Sequence, residues 1–450
     1  MIKHKVPGGL ILEGHVLDAL ASLPEGSVSC VVTSPPYWSL RKYDAPNVIW
    51  DGDESCEHEW GKSIIMRSPS GSLNGSTLGG EPPGQHNRPR SSFCSRCGAW
   101  LGQFGREPTP EMYVEHTIDV LRAIRRVLRD DGVVFWNVGD GYSGSWGNFG
   151  TREGKQRSVN THRDPRKAWD NNTERPATSY SHPTLKPKDL ILMPERVALA
   201  AQQDGWYIRK RIIWHKPNIK PESVQDRPTL DYEHIWMMTK KPHYWWDRTA
   251  VLEPAIHAGR IVKATGNGAK NADEGHSRTT KGFTLHDTLV TARRNLRSVW
   301  SFPTAQYKDA HYAVFPMELP RRCILASCPP EICVRCDTPR VRIVKKQTHF
   351  EGGSGRAGTQ PEEIKGKWQE DRHGKNLLLG PVVDHQTVGW SDCGCEEPDY
   401  GPGIVLDPFF GTGTTGLAAR ELGRLFIGVE LSPTYVEMVK RRLSAPVKVS

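Results

Sequence analysis

No apolar run in the sequence approaches the roughly 18 residues that a membrane-spanning helix needs, so no span is expected. The first nine residues, Met1 to Gly9, lack the apolar core of a signal peptide. Lysine is absent from the glycine-rich turn Gly411-Thr412-Gly413-Thr414-Thr415-Gly416. A phosphate-gripping loop would need Gly-Lys-Ser/Thr there, so ATP hydrolysis is not expected. Charge of one sign is not in large excess: 60 Lys and Arg stand against 51 Asp and Glu, a net +9. That balance is compatible with a polyanionic partner without requiring one. Together these absences predict a soluble, cytoplasmic protein. Its 450 residues suffice for one large domain with insertions or for two domains. In a reducing compartment the ten cysteines are expected as metal ligands or buried thiols rather than disulfides.

What is present centres on Val31-Val32-Thr33-Ser34-Pro35-Pro36-Tyr37-Trp38. Val28 to Val32 reads as a buried strand, and it ends in a stiff loop. Each proline fixes φ near −65° and lacks an N–H, and the residue before a proline is kept out of the helical region. Ser34-Pro35-Pro36 is therefore a rigid turn whose carbonyls and Ser34 hydroxyl are free to accept hydrogen bonds. Tyr37 and Trp38 set aromatic faces beside those acceptors, which suits a flat heterocycle with an exocyclic amine. The plainer alternative is a proline turn with two core aromatics.

A second stretch, Ile404-Val405-Leu406-Asp407-Pro408-Phe409-Phe410-Gly411-Thr412-Gly413, reads as a strand and a glycine turn, leading into a helix over 414–422. The next strand, 425–428, ends in Val429-Glu430. Glycines at a strand-to-helix turn let a backbone approach a ligand, and a carboxylate ending the next strand can take a pair of ribose hydroxyls.

Taken together, Ser34-Pro35-Pro36-Tyr37 and Asp407-Pro408-Phe409-Phe410-Gly411-Thr412-Gly413 resemble the catalytic and cofactor motifs of the amino-group DNA methyltransferases, which use S-adenosylmethionine (AdoMet). The catalytic motif precedes the cofactor motif, as in that family's beta order. The resemblance implies an α/β, Rossmann-like AdoMet-dependent methyltransferase fold with a mixed, mostly parallel sheet. Zinc-knuckle-like and DNA-recognition segments would be inserted in it. It assigns AdoMet contacts to Asp407, Phe409, Gly411, Gly413 and Glu430. His311-Tyr312-Ala313-Val314-Phe315-Pro316 resembles a further cofactor motif, with Phe315 and Pro316 on the methionine part. The family's Gly-Asp at the end of the first strand is Gly14-His15 here. Trp214-His215-Lys216-Pro217 resembles the motif near the target-base pocket, so Trp38, Trp214 and His215 are candidates to pack on the base. Trp214 reads equally well as a core residue ending a strand.

Residues 1–250 are thus expected to form a catalytic half, 251–300 a target-recognition region and 301–450 an AdoMet-binding half. Helical spacing marks 111–128 and 193–203, and apolar runs mark strands at 133–138, 207–214 and 234–239. Two insertions carry cysteines. In 45–105, Cys56 and His58 face a distant Cys94 and Cys97; in 331–400, Cys333 and Cys336 face Cys393 and Cys395. Each set supplies four ligands for a tetrahedral, structural zinc, with unconnected surface thiols as the alternative at the first. Cys30, Cys323 and Cys328 fit buried thiols. Residues 141–185, poor in apolar periodicity and containing Arg152, Lys155 and Arg157, are expected as a mobile loop, either a solvated linker or a segment ordering on phosphates.

The expected reaction is methyl transfer to an exocyclic amine of a base flipped from duplex DNA. In the family, Ser-Pro-Pro-Tyr usually accompanies cytosine N4 and Asp-Pro-Pro-Tyr adenine N6, so Ser34 favours cytosine. Adenine N6 is the alternative. A non-catalytic DNA-binding module, or methylation of RNA or of a protein glutamine from a similar loop, are the rivals. A partner restriction endonuclease is compatible with this reading and has no signature in the chain.

Overall fold

The structure is a computed structural model. It describes residues 1–40, 43–53, 55–60, 92–143, 184–186, 188–219, 221–222, 224–255, 261–262, 288–289, 293–305, 314–349, 367–370, 376–379 and 382–444. Most of the expected loop 141–185 and of the expected recognition region 251–300 lies outside the described residues, as do His311, Tyr312 and Ala313.

Two compact units divide the chain. The larger joins residues 1–245, 298–330 and 402–450; the smaller joins 246–297 and 331–401. The boundaries therefore differ from a simple succession of halves. The recognition segment and the second cysteine insertion, apart in sequence, fall in the same unit.

A nine-stranded sheet organises the larger unit. Its strands are β1 (Ile2–Val6), β2 (Gly9–Glu13), β3 (Val28–Thr33), β4 (Leu128–Val138), β5 (Tyr207–His215), β6 (Tyr232–Thr239), β7 (Val299–Ser301), β8 (Ile404–Asp407) and β9 (Leu425–Glu430), in the order β1-β2-β9-β8-β3-β4-β6-β5-β7. Pairings from β2 through β4 are parallel, as is β5 with β7; β1 pairs antiparallel with β2, and β6 with both β4 and β5. The sheet is thus mixed and mostly parallel, as expected.

β3 is buried at all six residues, as a central strand covered on both faces must be. Helices α1 (Val16–Ala21), α2 (Pro110–Val127) and α3 (Met193–Gln203) pack in a row, and Val31 joins their core. Cys30, the next residue on the strand, points to the other face and meets Ser327 of α4 (Glu318–Ser327) at 3.1 Å. Cys323 and Cys328 are buried there too. α5 (Thr414–Glu421) packs on β8 and β9, and α6 (Pro433–Ser444) on β1, β2 and β9.

Helix α2 begins where the sequence chemistry places it. Thr109 caps it by accepting from Met112 N at 3.1 Å, and Pro110, whose missing N–H costs nothing there, opens the first turn. By composition, Asp130-Asp131-Gly132 beyond its last turn reads as a helix stop. These residues do not stop the helix but lie inside β4, because Leu128 already turns extended and pairs with Val28. The register then jumps from Val28–Leu128 to Cys30–Val133, a bulge stabilised by Arg129 donating to Asp131 at 2.9 Å.

Adjacent ends of β3 and β8 are joined by side chains. Thr33 Oγ1 donates to Asp407 Oδ1 at 2.6 Å, and Thr415 Oγ1, at the start of α5, donates to Oδ2 at 2.7 Å. In the smaller unit, antiparallel pairs dominate: Arg342–His349 with Val382–Trp390, Ile332–Cys333 with Tyr400–Gly401, and Glu253–Pro254 with Arg293–Arg294. Arg342 lies over Trp390 and donates to Asp247 at 2.8 Å, tying the two segments of that unit.

Replacing Thr33 by Val removes one donor from a buried carboxyl. Urea unfolding should show a loss of about 1–3 kcal/mol with an unchanged slope. An unchanged midpoint would mean the bond contributes nothing.

Candidate functional site

At the carboxyl ends of β3, β8 and β9 lies a cavity of about 190 Å³. The position is where open α/β sheets bind ligands. Ser34 and Pro36 from the loop after β3, Phe409 and Gly411 from the loop after β8, Glu430 from the end of β9, and Phe315 all line it. The two motifs that stand furthest apart in the sequence thus share one wall. Gly14 and His15 line it as well.

The cofactor loop is shaped by backbone bonds to one carboxylate. Glu430 Oε2 accepts from Gly411 N at 2.7 Å and Oε1 from Ser432 N at 2.8 Å. Each oxygen keeps a further lone pair, which a vicinal diol can use. Burial, opposed by these N–H donors, raises Glu430 from an ordinary 4.5 to about 7. Gly413 takes φ +76° at the start of α5, and a Cβ there would stand 2.8 Å from Val439 Cγ1, so only glycine fits. Arg442 of α6 donates to Thr412 O at 2.8 Å and holds the turn from outside. Phe409 packs on Phe104 (centroids 5.0 Å apart).

Asp407 does not line the cavity. It is 1% exposed beneath the loop, accepting from Thr33, Thr415 and Phe409 N (3.1 Å), and burial raises it from 3.8 to about 7. Its geometry is that of an anchor for both loops. Pro316 also stands aside from the cavity, with its carbonyl accepting from Leu319 N at the start of α4. His15 Nε2 is buried with no partner among the described residues, and burial lowers the ring's pKa. A largely apolar cavity with backbone-held acceptors at one end and an unpaired imidazole nitrogen in its wall fits a nucleoside-bearing cofactor such as AdoMet.

The catalytic loop is held by a hydrogen-bond chain. Ser34 Oγ donates to Tyr37 Oη at 3.0 Å, and Tyr37 Oη donates to Glu233 Oε2 at 2.6 Å. Asn137 Nδ2 donates to the same Glu233 oxygen at 3.1 Å, and Lys216 Nζ pairs with the other. Burial, then the nearby Glu233 carboxylate, raises Tyr37 well above the usual phenol range, so it stays a donor. The ring lies against Gly139, where a Cβ would stand only 2.7 Å from Tyr37 Cδ2. Pro36 O accepts from Tyr113 Oη at 3.1 Å, and Trp38 Nε1 donates to Glu107 O at 2.9 Å.

Trp214 and His215 are not brought to the cavity. Trp214 is 3% exposed, donates Nε1 to Phe302 O at 2.9 Å, stacks on Phe302 and has Lys216 over its ring. It is the strand-end core residue of the alternative reading. His215 Nδ1 lies 2.9 Å from Ser301 Oγ. The residue that the motif's neighbourhood does contribute is Lys216, through Glu233.

Sequence reasoning missed Glu233, and it missed His116. The His116 ring is buried between Trp50 and Trp100, with Nδ1 3.1 Å from Glu107 and Nε2 2.9 Å from Asp51. Burial opposes its charge, but the two carboxylates win and raise its pKa. No spacing rule links positions 51, 107 and 116.

Both cysteine sets converge. Cys56, His58, Cys94 and Cys97 offer ligand atoms within 4.8 Å of one another, as do Cys333, Cys336, Cys393 and Cys395. A tetrahedron with Zn–S near 2.3 Å and Zn–N near 2.0 Å has S–S edges of about 3.8 Å and S–N edges of about 3.5 Å. Cys56 and Cys94 stand 3.9 Å apart, Cys97 and His58 Nδ1 3.4 Å, and Cys333 and Cys395 3.9 Å. The donor sets fit zinc.

The sequence model of the DNA methylase family (N6/N4 methyltransferases) matches residues 28–334 and 400–441, and the gap falls on the second cysteine insertion. The chain is 30% identical over 436 residues to the Type II methyltransferase M.Cfr9I of Citrobacter freundii, covering 97% of this chain and 88% of that one. Against the Type II methyltransferase M.SmaI of Serratia marcescens it is 28% identical, covering 96% and 90%. Among solved structures it is similar to the PvuII DNA methyltransferase (cytosine-N4-specific), with a TM-score of 0.45, 14% identity and coverage of 100% of this chain and 92% of that one. No helix among the described residues is long and apolar enough to cross a membrane.

Asp407 and Glu430 both bind protons more tightly in the folded than in the unfolded chain. Their contribution to stability is full below about pH 4 and is lost as the pH rises through about 7. The unfolding temperature of the ligand-free protein should therefore fall between about pH 4 and about pH 7 and level off above that, and Glu430→Gln should flatten that slope. Identical slopes for wild type and variant would refute the assignment.

Proposed function

The chain belongs to the N6/N4 DNA methylase family, AdoMet-dependent enzymes acting on exocyclic amines of DNA bases, and from that membership we propose that it methylates cytosine N4 in duplex DNA. The observation that carries the choice of base is Ser34 in the cavity wall, at the position where the family's adenine enzymes usually have Asp.

A hydroxyl can donate as well as accept, and a donor there would oppose the target amine. The chain of bonds resolves this. Ser34 gives its proton to Tyr37, and Tyr37 gives its own to Glu233, whose charge Lys216 balances and to which Asn137 also donates. Ser34 then presents only lone pairs to the base. With the Pro35 carbonyl it accepts both hydrogens of the amine, which favours the pyramidal nitrogen that attacks. AdoMet supplies a methyl on a sulfonium already poised to leave. Orientation therefore accounts for much of the acceleration. No strong base is needed, because the methylated amine is acidic and gives up its proton readily. Phe315, Phe409, Gly411, Gly413 and Glu430 are the proposed cofactor contacts, with Asp407 setting the loops that bear them. Tyr37 and Trp38 border the base.

Zinc in both cysteine clusters is part of the same reading, supported by their ligand spacing. So is base recognition by the smaller unit, supported by its place between the catalytic and cofactor motifs. A restriction-modification setting belongs to the same reading, supported by the likeness to Type II methyltransferases.

Nucleosides from unmethylated plasmid DNA incubated with enzyme and AdoMet should show N4-methylcytosine by mass spectrometry; N6-methyladenine instead would overturn the choice of base. Glu233→Gln should lower turnover about a hundredfold while AdoMet still binds. Loss of AdoMet binding in that variant would sink the proposed relay. Metal analysis of the purified protein should find two zinc ions per chain, and Cys393→Ser should remove one of them.

A further inference from the structure

We infer that the zinc ion held by Cys56, His58, Cys94 and Cys97 sets the affinity of the cofactor cavity, because it ties together the small sheet that forms one of the cavity's walls. This inference rests on the zinc reading above.

The sheet has three strands, Val48–Trp50, Trp100–Gly102 and Ser92–Phe93, with the second in the middle. Strands of two and three residues make few ladder bonds. Cys56 and His58 follow the first strand; Cys94 and Cys97 lie in the turn between the other two. Cys56 and Cys94 are 38 positions apart. A metal bridging them closes that long loop and fixes the register of all three strands.

These strands and the residues just after them supply Val48, Trp50, Gln103 and Phe104 to the cavity. Phe104 packs against Phe409 of the cofactor loop. The segment continues into the seat of the catalytic loop, where Ser39 N donates to Gly105 O at 2.8 Å and Trp38 to Glu107 O. From α2, His116 stacks on Trp50 and Trp100 of the sheet and bonds to Asp51 and Glu107. Loss of the ion frees the first strand from the other two, and the wall they form opens. Linkage is reciprocal, so bound AdoMet must retain the ion.

The test uses the full chain. AdoMet binding by calorimetry is paired with zinc content for wild type, Cys97→Ser, Cys97→His and Cys395→Ser. Cys97→Ser should lose one zinc equivalent and bind AdoMet at least about tenfold more weakly. Cys97→His, which keeps a ligand, should recover both. Cys395→Ser should lose one equivalent from the other cluster with AdoMet affinity unchanged. On the wild type, AdoMet should slow extraction by a chelator of one zinc and not of the second. If Cys97→Ser fails to fold, the chelator experiment on the wild type decides. Full AdoMet affinity after loss of the first-cluster zinc, or extraction that AdoMet does not slow, overturns the linkage while leaving zinc in place. A purified protein without zinc in that cluster overturns the zinc reading and the inference with it.

Discussion

A buried carboxyl that accepts from both sides of a strand boundary holds the rest of this protein in order. Asp407 ends β8, and the hydroxyls that satisfy it come from Thr33, ending β3, and Thr415, opening α5. Removing a carboxyl from water is costly unless donors replace the lost solvent. The fold can therefore bury Asp407 only when the two loops start from fixed points. Thr33 and Asp407 lie 374 positions apart, yet the residue after Thr33 and the turn after Asp407 meet across one cavity. Everything inserted between them has to respect that closure.

The central strands and the long helices were legible because they carry strong local patterns. β3 is a short, mostly apolar run that ends just before two prolines, and α2 has both a cap and a helical stripe. The bulge after Leu128 was not legible, since Asp-Asp-Gly reads as a helix stop and only the pairing of Leu128 with Val28 reveals otherwise. Ser34, Phe409, Gly411 and Glu430 could be placed because their motifs fix backbone geometry. Glu233 could not, since a glutamate beside Tyr232 at the start of a strand looks like a surface residue until Tyr37 is found on it. Trp214 shows the converse: the residue type suits a base platform, but its ring is already occupied.

Cysteines behave differently from either class. Four soft ligands in two close pairs carry their meaning in the side chains, so the sets converge even though residues 61–91 between one pair and the next lie outside the description. The family match stops where the second set begins and resumes after it ends. The smaller unit is accordingly assembled from two separate stretches of antiparallel strands, tied to one another by Arg342 on Asp247.

The short chain from Ser34 through Tyr37 to Glu233 also constrains how such a site can change over evolutionary time. Exchanging Ser34 for Asp would set a second carboxylate about one phenol oxygen away from Glu233, with a single Tyr37 proton between them. Like charges so placed resist joint ionisation, and one would be forced to keep a proton. The acidic and hydroxylic forms of the loop are thus separated by an epistatic barrier. A lineage crossing it has to lose its distal carboxylate first, or together with the exchange, and the order of substitutions is written into the site's charge.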